Sequence, residues 1–350
     1  MRKLVTLGLV CTLWLLAVPS AATGWPPPPS GKICVINTPG GDEDLFNLST
    51  AEGIRRASWR FNVETLTLDA EDEEDIQDNI EQCLADDCDL IIGVGRYVAM
   101  LMEPHIAANP GQLFAVLDEE YENDYANAAE VWFRSDQAAF LAAYAAAAYS
   151  RTGIVGLYGG IQIPQVTSFM DGYALGVEYY NDRHGASVEV LGWDPYTQGG
   201  IFVGTFNDPV VGYDEGRNQM EQGADVIFPV AGSTGLGTLE ASRERRDAGG
   251  SYALLVGVDV DWQWHYERGY RFLDRLVLTS AIKDFGEAAF DQIAAWKRGT
   301  WVSGLVDANL ANGGVDIVFR SLLGWVDAST LAELWCIRWK IMQGEIATTP

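Results

Sequence analysis

The stretch TFNDPVVGYDEGRNQMEQGADVIFPVAGSTGLG, Thr205 to Gly237, decides the fold. Gly212 to Gly223 carries a helical pattern, and Val226 to Val230 is an apolar run too short for a helix and suited to a buried strand. The glycine-rich turn AGSTGLG follows, and a second helix runs from Leu236 to Asp247. A short apolar strand between two helices is the repeating unit of a parallel sheet covered on both faces.

The same rhythm extends outward in both directions. Toward the amino terminus, strands are expected at Ile33–Ile36, Glu64–Leu68, Leu90–Val94, Leu113–Leu117, Val131–Phe133, Ile154–Tyr158 and Val188–Gly192. Helices fall between them over Leu45–Phe61, Asp75–Leu84, Val98–Ala108, Asp136–Tyr149 and Pro164–Tyr180, and a further strand over Ala253–Val258 follows the opening stretch. Gly/Asp-rich turns stand at the carboxyl ends of strands (GGDED, GVGRY, GGIQI, AGSTGLG), the edge at which open α/β sheets bind ligands. The expected class is α/β, with two doubly wound parallel-sheet lobes facing each other across a cleft.

The amino terminus indicates the compartment. Arg2 and Lys3 precede a nearly continuous apolar run from Leu4 to Val18, then Pro19 and the small residues Ser20-Ala21-Ala22. That order reads as a secretory signal peptide over 1–22, too short and wrongly flanked for a membrane span. WPPPPS, Trp25 to Ser30, makes 23–30 a stiff Pro-rich linker.

The formal charge of −26 repels phosphate backbones and anionic headgroups, which argues against nucleic-acid partners and favours a neutral or cationic ligand. Part of that charge lies in DAEDEEDIQD, Asp69 to Asp78, where acids suit the positive end of a helix dipole. Cys83 and Cys88 flank the end of a helix and can form a local disulfide in an oxidising compartment. Cys34, in an apolar strand, and Cys336, in an apolar helix, read as core residues.

The opening stretch also resembles the basic membrane protein family, the purine-nucleoside receptor group of type I periplasmic binding proteins. Further blocks agree in order: DEDLFNLSTAEG (Asp42–Gly53), DLIIGVG (Asp89–Gly95), LFAVLD (Leu113–Asp118), RTGIVGLYGG with a following IP (Arg151–Pro164), GVDVD (Gly257–Asp261), VLTSAIKDF (Val277–Phe285) and NGGVDI (Asn312–Ile317). The resemblance runs from about Cys34 to Gly344. It implies an extracytoplasmic solute-binding protein serving the permease of an ABC importer, with no catalysis, cofactor or metal.

The same resemblance implies a ligand site. Phe46 and Phe206 would sandwich a base from opposite lobes, and Asn47, Asp118 and Asp259 would bond its edge and the ribose. Lys283 would reach the ribose from near the hinge, and Gly232 would let the backbone approach the sugar. Read without the resemblance, Phe46 is an ordinary core residue and AGSTGLG an ordinary βα turn. Asp118 at the end of an apolar strand already asks for a partner or a cleft. The expected lobes are 31–128 with 281–300, and 129–280 with 301–345, joined by a three-segment hinge.

Two departures from the family pattern bear on the ligand and the anchor. Asn37-Thr38-Pro39 stands where the family usually carries an Asp before the first glycine pair, so a flavin-like or other flat heterocycle is an alternative ligand. No Cys follows Ala22, and the apolar run continues past Cys11, so the exported chain is expected to carry no lipid. The rival functions are a nucleoside-processing enzyme and a ligand-sensing surface protein on the same scaffold. Against the enzyme, the three histidines (His105, His184, His265) show no HExxH spacing, and no G-x-S-x-G elbow occurs. Asp42, Glu43 and Asp44 suit a helix N-terminus better than a calcium loop.

Overall fold

A computed structural model describes residues 30–39, 45–263, 276–319 and 326–350. The signal peptide, most of the Pro-rich linker, the Gly40 to Asp44 turn and His265 lie outside the described residues.

Two six-stranded sheets organise the chain. The first contains β1 (Lys32–Ile36), β2 (Glu64–Leu68), β3 (Leu90–Val94), β4 (Leu113–Leu117), β5 (Ala128–Phe133) and β13 (Gly304–Ala308), in the order β13-β5-β4-β3-β1-β2. The second contains β6 (Ile154–Gly159), β7 (Glu189–Leu191), β10 (Val226–Val230), β11 (Leu254–Asp259), β12 (Val277–Lys283) and β14 (Val315–Val318), in the order β14-β12-β11-β10-β6-β7. All pairings are parallel except β12 with β14. The central strands LIIGV and VIFPV are buried along their whole length, as parallel strands covered on both faces must be. Pro229 is tolerated in β10 because the pairing with β11 stops at Ile227, so no amide is needed there. A short hairpin, β8 (Trp193–Asp194) with β9 (Gly199–Gly200), follows β7.

The helices are α1 (Leu45–Phe61), α2 (Glu73–Ala85), α3 (Gly95–Ala108), α4 (Ser135–Tyr149), α5 (Pro164–His184), α6 (Pro209–Glu221), α7 (Gly235–Asp247), α8 (Phe285–Arg298) and α9 (Ala328–Met342). Their ends follow from local chemistry. The carboxylates of Asp72, Asp208, Asp284 and Asp327 accept from the first free amides of α2, α6, α8 and α9. Pro164 and Pro209 open α5 and α6, where a missing N–H costs nothing. Small residues then set how closely helices approach. A Cβ on Gly53 would stand 1.9 Å from the Gly286 carbonyl oxygen, so α1 and α8 meet backbone to backbone. Gly172 gives α5 the same approach to α4 at Asp136.

The chain passes between sheets three times: from β5 into α4, from β12 into α8, and from β13 into β14. These passages are tied together, since Arg134 N donates to Ala308 O and Asp284 N to Gly314 O, both at 2.8 Å. Strands β5 and β13 belong to the first sheet, although the boundaries at 129 and 301 assign most of β5 and all of β13 to the second lobe. Strand β12 stays in the second sheet as far as Lys283. A parallel strand has the same composition in either sheet, so only pairing settles its membership.

The cysteines depart from expectation. Cys34 is joined to Cys88, with Cα atoms 5.9 Å apart, and Cys83 is a buried free thiol. Because β1 lies beside β3, the residues just before β3 reach Cys34 across the sheet, whereas Cys83 points into the core under α2. Cys336 is not core but exposed on α9.

Candidate functional site

The carboxyl ends of the two sheets bring together three of the expected residues. Asp118 follows β4 of the first sheet, and Asp259 ends β11 of the second. Both adopt the left-handed backbone region, with φ of 75° and 65°. Aspartate tolerates that region better than most residues but still pays for it. The turn re-aims each carboxylate off its strand: Val260 N donates back to Val258 O at 2.7 Å, so the strand has ended before Asp261.

Lys283, at the end of β12, is 3% exposed and faces both carboxylates. Its Nζ lies 2.8 Å from Asp118 Oδ2 and 3.6 Å from Asp259 Oδ1. Burial works against the ammonium, but the two carboxylates outweigh it and raise its pKa above the ordinary lysine value. The Phe169 ring, 5.0 Å away, adds a cation–π face. Two carboxylates against one ammonium leave the cluster a negative site, able to accept from O–H and N–H groups and to donate from Lys283.

Neighbouring groups brace the cluster. Gln165, at the start of α5, donates through Nε2 to Asp118 O at 2.9 Å and to Glu119 Oε2 at 3.3 Å, tying the second lobe to the first. Arg96 is ion-paired with Glu119, whose carboxyl is raised by burial although Arg96 opposes the shift. A cavity of about 760 Å³ opens beside the cluster, walled by Glu52, Gly53 and Arg56 of α1 and by Asp259, Asp261 and Lys283. That volume is in the range of small-molecule sites.

The remaining expected residues sit in separate groups. Phe46 stacks on Phe285, with centroids 4.7 Å apart and planes at 29°, and Phe285 lies 4.7 Å from Phe133. Asn47 is buried and pairs with the backbone of Thr38, accepting from its N at 3.1 Å and donating to its O at 2.9 Å. Phe206 packs over Gly160, where a Cβ would come within 2.4 Å of its ring. Its carbonyl accepts from Ser233 Oγ at 3.0 Å and Thr234 N at 3.1 Å. Gly232 begins that turn with φ of 53°, and a Cβ there would lie 3.1 Å from the Phe206 carbonyl oxygen.

Phe285, Gln165, Glu119, Arg96 and Phe169 are additional residues of this region that sequence reasoning did not single out. Phe285 closes the VLTSAIKDF block and Gln165 directly follows the IP pair, so position within the blocks was the available signal. Among the described residues, no cluster of His, Cys, Asp and Glu suits a metal ion, and no helix is long and apolar enough to cross a membrane.

The family described as ABC transporter substrate-binding protein PnrA-like matches residues 32–346. An uncharacterized lipoprotein of Pyrococcus abyssi is 28% identical over 289 residues, covering 81% of this chain and 68% of that protein. Basic membrane protein A of Borreliella burgdorferi is 29% identical over 259 residues, covering 73% of this chain and 69% of that protein. The crystal structure of an ABC transporter system solute-binding protein from Aeropyrum pernix K1 superposes with a TM-score of 0.76 at 24% identity, over 91% of this chain and 92% of that one. The relatives correct one expectation. The Pyrococcus abyssi protein, and one from Pyrococcus horikoshii at the same 28% identity, are lipoproteins, which overturns the reading of a chain without lipid. That reading rests on there being no Cys after the Ala22 cleavage site and on the apolar run that continues past Cys11, whereas anchoring depends on acyl chains added after synthesis.

Proposed function

We propose, from the premise that this chain belongs to the PnrA-like ABC transporter substrate-binding protein family, that its ligand is a purine nucleoside bound between the lobes. Proteins of this family bind small molecules and work with a membrane permease. The observation that carries the ligand assignment is the Asp118–Lys283–Asp259 cluster, which draws one carboxylate from each sheet onto one buried ammonium. Vicinal ribose hydroxyls suit it, since they donate to the carboxylates and accept from Lys283. Hydrogen bonds to charged groups of this kind contribute about 1.5–3 kcal/mol each. The negative balance disfavours a phosphorylated ligand, as does the overall charge of −26.

In this reading, Phe206 and Phe46 supply faces for the base, and Asn47 acts through the Thr38 backbone that it holds in place. Gly232 admits the sugar beside the Phe206 turn. Since Asp118 and Asp259 stand on different lobes, a ligand bonded to both favours the closed arrangement over an open one.

Titration calorimetry with inosine, guanosine and their free bases tests the assignment. Asp259→Asn keeps the shape and tolerates the left-handed backbone, so nucleoside affinity should fall about tenfold or more while free-base affinity changes little. Equal losses for nucleosides and bases would remove Asp259 from the ribose. Failure of the wild type to bind any of the four would refute the nucleoside assignment.

A further inference from the structure

Gln165 stands in the first turn of α5, in the second lobe, and both hydrogen bonds of its side chain go to the first lobe. Nε2 donates to Asp118 O at 2.9 Å and to Glu119 Oε2 at 3.3 Å. Both partners are acceptors, so only the NH₂ end of the amide suits them and its orientation is fixed. The other end, Oε1, is buried and has no hydrogen-bond partner among the described residues. The residue as a whole is 6% exposed. A glutamine present for the folding of its own lobe would bond within that lobe. This one is held by the opposite lobe at its donor end, and its acceptor end stays dry whenever the lobes are shut.

Its place along α5 makes the contact sensitive to the angle between the lobes. Gly172, two turns further on, would put a Cβ 2.1 Å from Asp136 O, beside the passage from β5 into α4. Gln165 therefore lies about 10 Å along the helix from that passage. A rotation of about 15° there carries the amide roughly 2–3 Å, enough to break both bonds.

We propose that Gln165 is the latch of the inter-lobe cleft, a positioning residue that holds the lobes shut and sets Asp118 without touching the ligand. Asp118 is then gripped twice from the side of the second sheet, at its carbonyl by Gln165 and at its carboxylate by Lys283. Its effect on ligand binding rests on the reading of Asp118 as a ligand group, whereas its effect on closure does not. The unpartnered Oε1 keeps the latch reversible. Opening returns water to that atom, which offsets part of what the two donated bonds contribute, so the lobes are held but not locked.

Small-angle X-ray scattering of the ligand-free chain tests the latch. Gln165→Glu keeps the shape but, at about pH 8, sets a carboxylate against Glu119, which is paired with Arg96, and against Asp118, which is paired with Lys283. Its radius of gyration should exceed that of the wild type at that pH. It should return to the wild-type value near about pH 5, where a protonated carboxyl donates again. Gln165→Met neither donates nor titrates and should stay expanded at both. Stopped-flow measurements with inosine and guanosine supply a second arm. Gln165→Met should raise both dissociation rates about tenfold, by the same factor, with association little changed, because the latch forms after encounter. Radii equal to the wild type in both variants would overturn the proposal. So would a factor that differs between the two nucleosides, since Gln165 would then contact the base. The scattering arm contains no nucleoside, so it decides the latch whatever the ligand proves to be.

Discussion

Replacing Lys283 with Met keeps most of the side-chain volume and removes the cation between Asp118 and Asp259. All three residues are buried, and the ammonium lies 2.8 and 3.6 Å from the two carboxylates. Removing one member of a buried ionic cluster leaves uncompensated charge and costs about 3–5 kcal/mol. Here the change leaves two carboxylates facing each other, so the upper part of that range applies. Urea unfolding should show the midpoint falling by about 1 M or more. Adding Asp118→Asn and Asp259→Asn to Lys283→Met should recover most of the loss, because a neutral cluster holds no orphan charge. The pH dependence supplies a second handle. The Lys283 pKa is raised above its ordinary 10.5, so its stabilisation is complete below that value and fades only as pH rises through the folded-state value. Between pH 5 and 9 the wild-type contribution is therefore flat on this account. Lys283→Met should instead regain stability as pH falls, since protonating one carboxylate relieves the pair. A triple variant no better than the single one, or a pH-independent deficit, would show that packing rather than charge explains the loss.

Three further outcomes follow from helix packing and from the state of the cysteines. Gly53→Ala places a methyl group 1.9 Å from the Gly286 carbonyl oxygen, so α1 and α8 must separate; calorimetry should show a loss of about 1–3 kcal/mol. Cys88→Ser opens a crosslink that spans 54 residues, and chain entropy predicts a loss of about 4 kcal/mol. Native alkylation followed by mass spectrometry should modify Cys336 and spare Cys83, whose thiol burial pushes up to about 12; alkylated Cys34 or Cys88 in the native protein would refute the pairing.

The strands were legible because parallel strands buried on both faces are plain apolar runs, and Leu90–Val94, Leu113–Leu117 and Val226–Val230 fall where that rule puts them. Strand β13 was not, because Gly304–Ala308 alternates in burial and says nothing about which sheet it joins. The Cys34–Cys88 pair was hidden for a related reason: sequence shows Cys83 near Cys88, while the adjacency of β1 and β3 appears only once the strand order is known. At the site, Asp118 announced itself as an acid ending an apolar strand. Gln165 and Arg96 look like ordinary first-turn residues of α5 and α3; the reach of Gln165 to Asp118 and Glu119 depends on how the lobes meet, and Arg96 pairs with Glu119 inside the first lobe. Cys336 reads as core because composition cannot tell which side of an apolar helix faces the protein.

The placement of β13 has a consequence for how the polypeptide acquires its structure. Residues 304–308 complete the edge of a sheet whose first strand begins at Lys32, so nearly the whole chain must be present before that sheet is finished. Loop closure over that separation is slow, and until it occurs β5 presents an unpaired apolar edge, the kind of surface on which incomplete chains associate. Neither lobe can be released by a single proteolytic cut or produced from one uninterrupted gene fragment. Truncation before Gly304 should therefore damage the first lobe, although its other five strands all lie before residue 134.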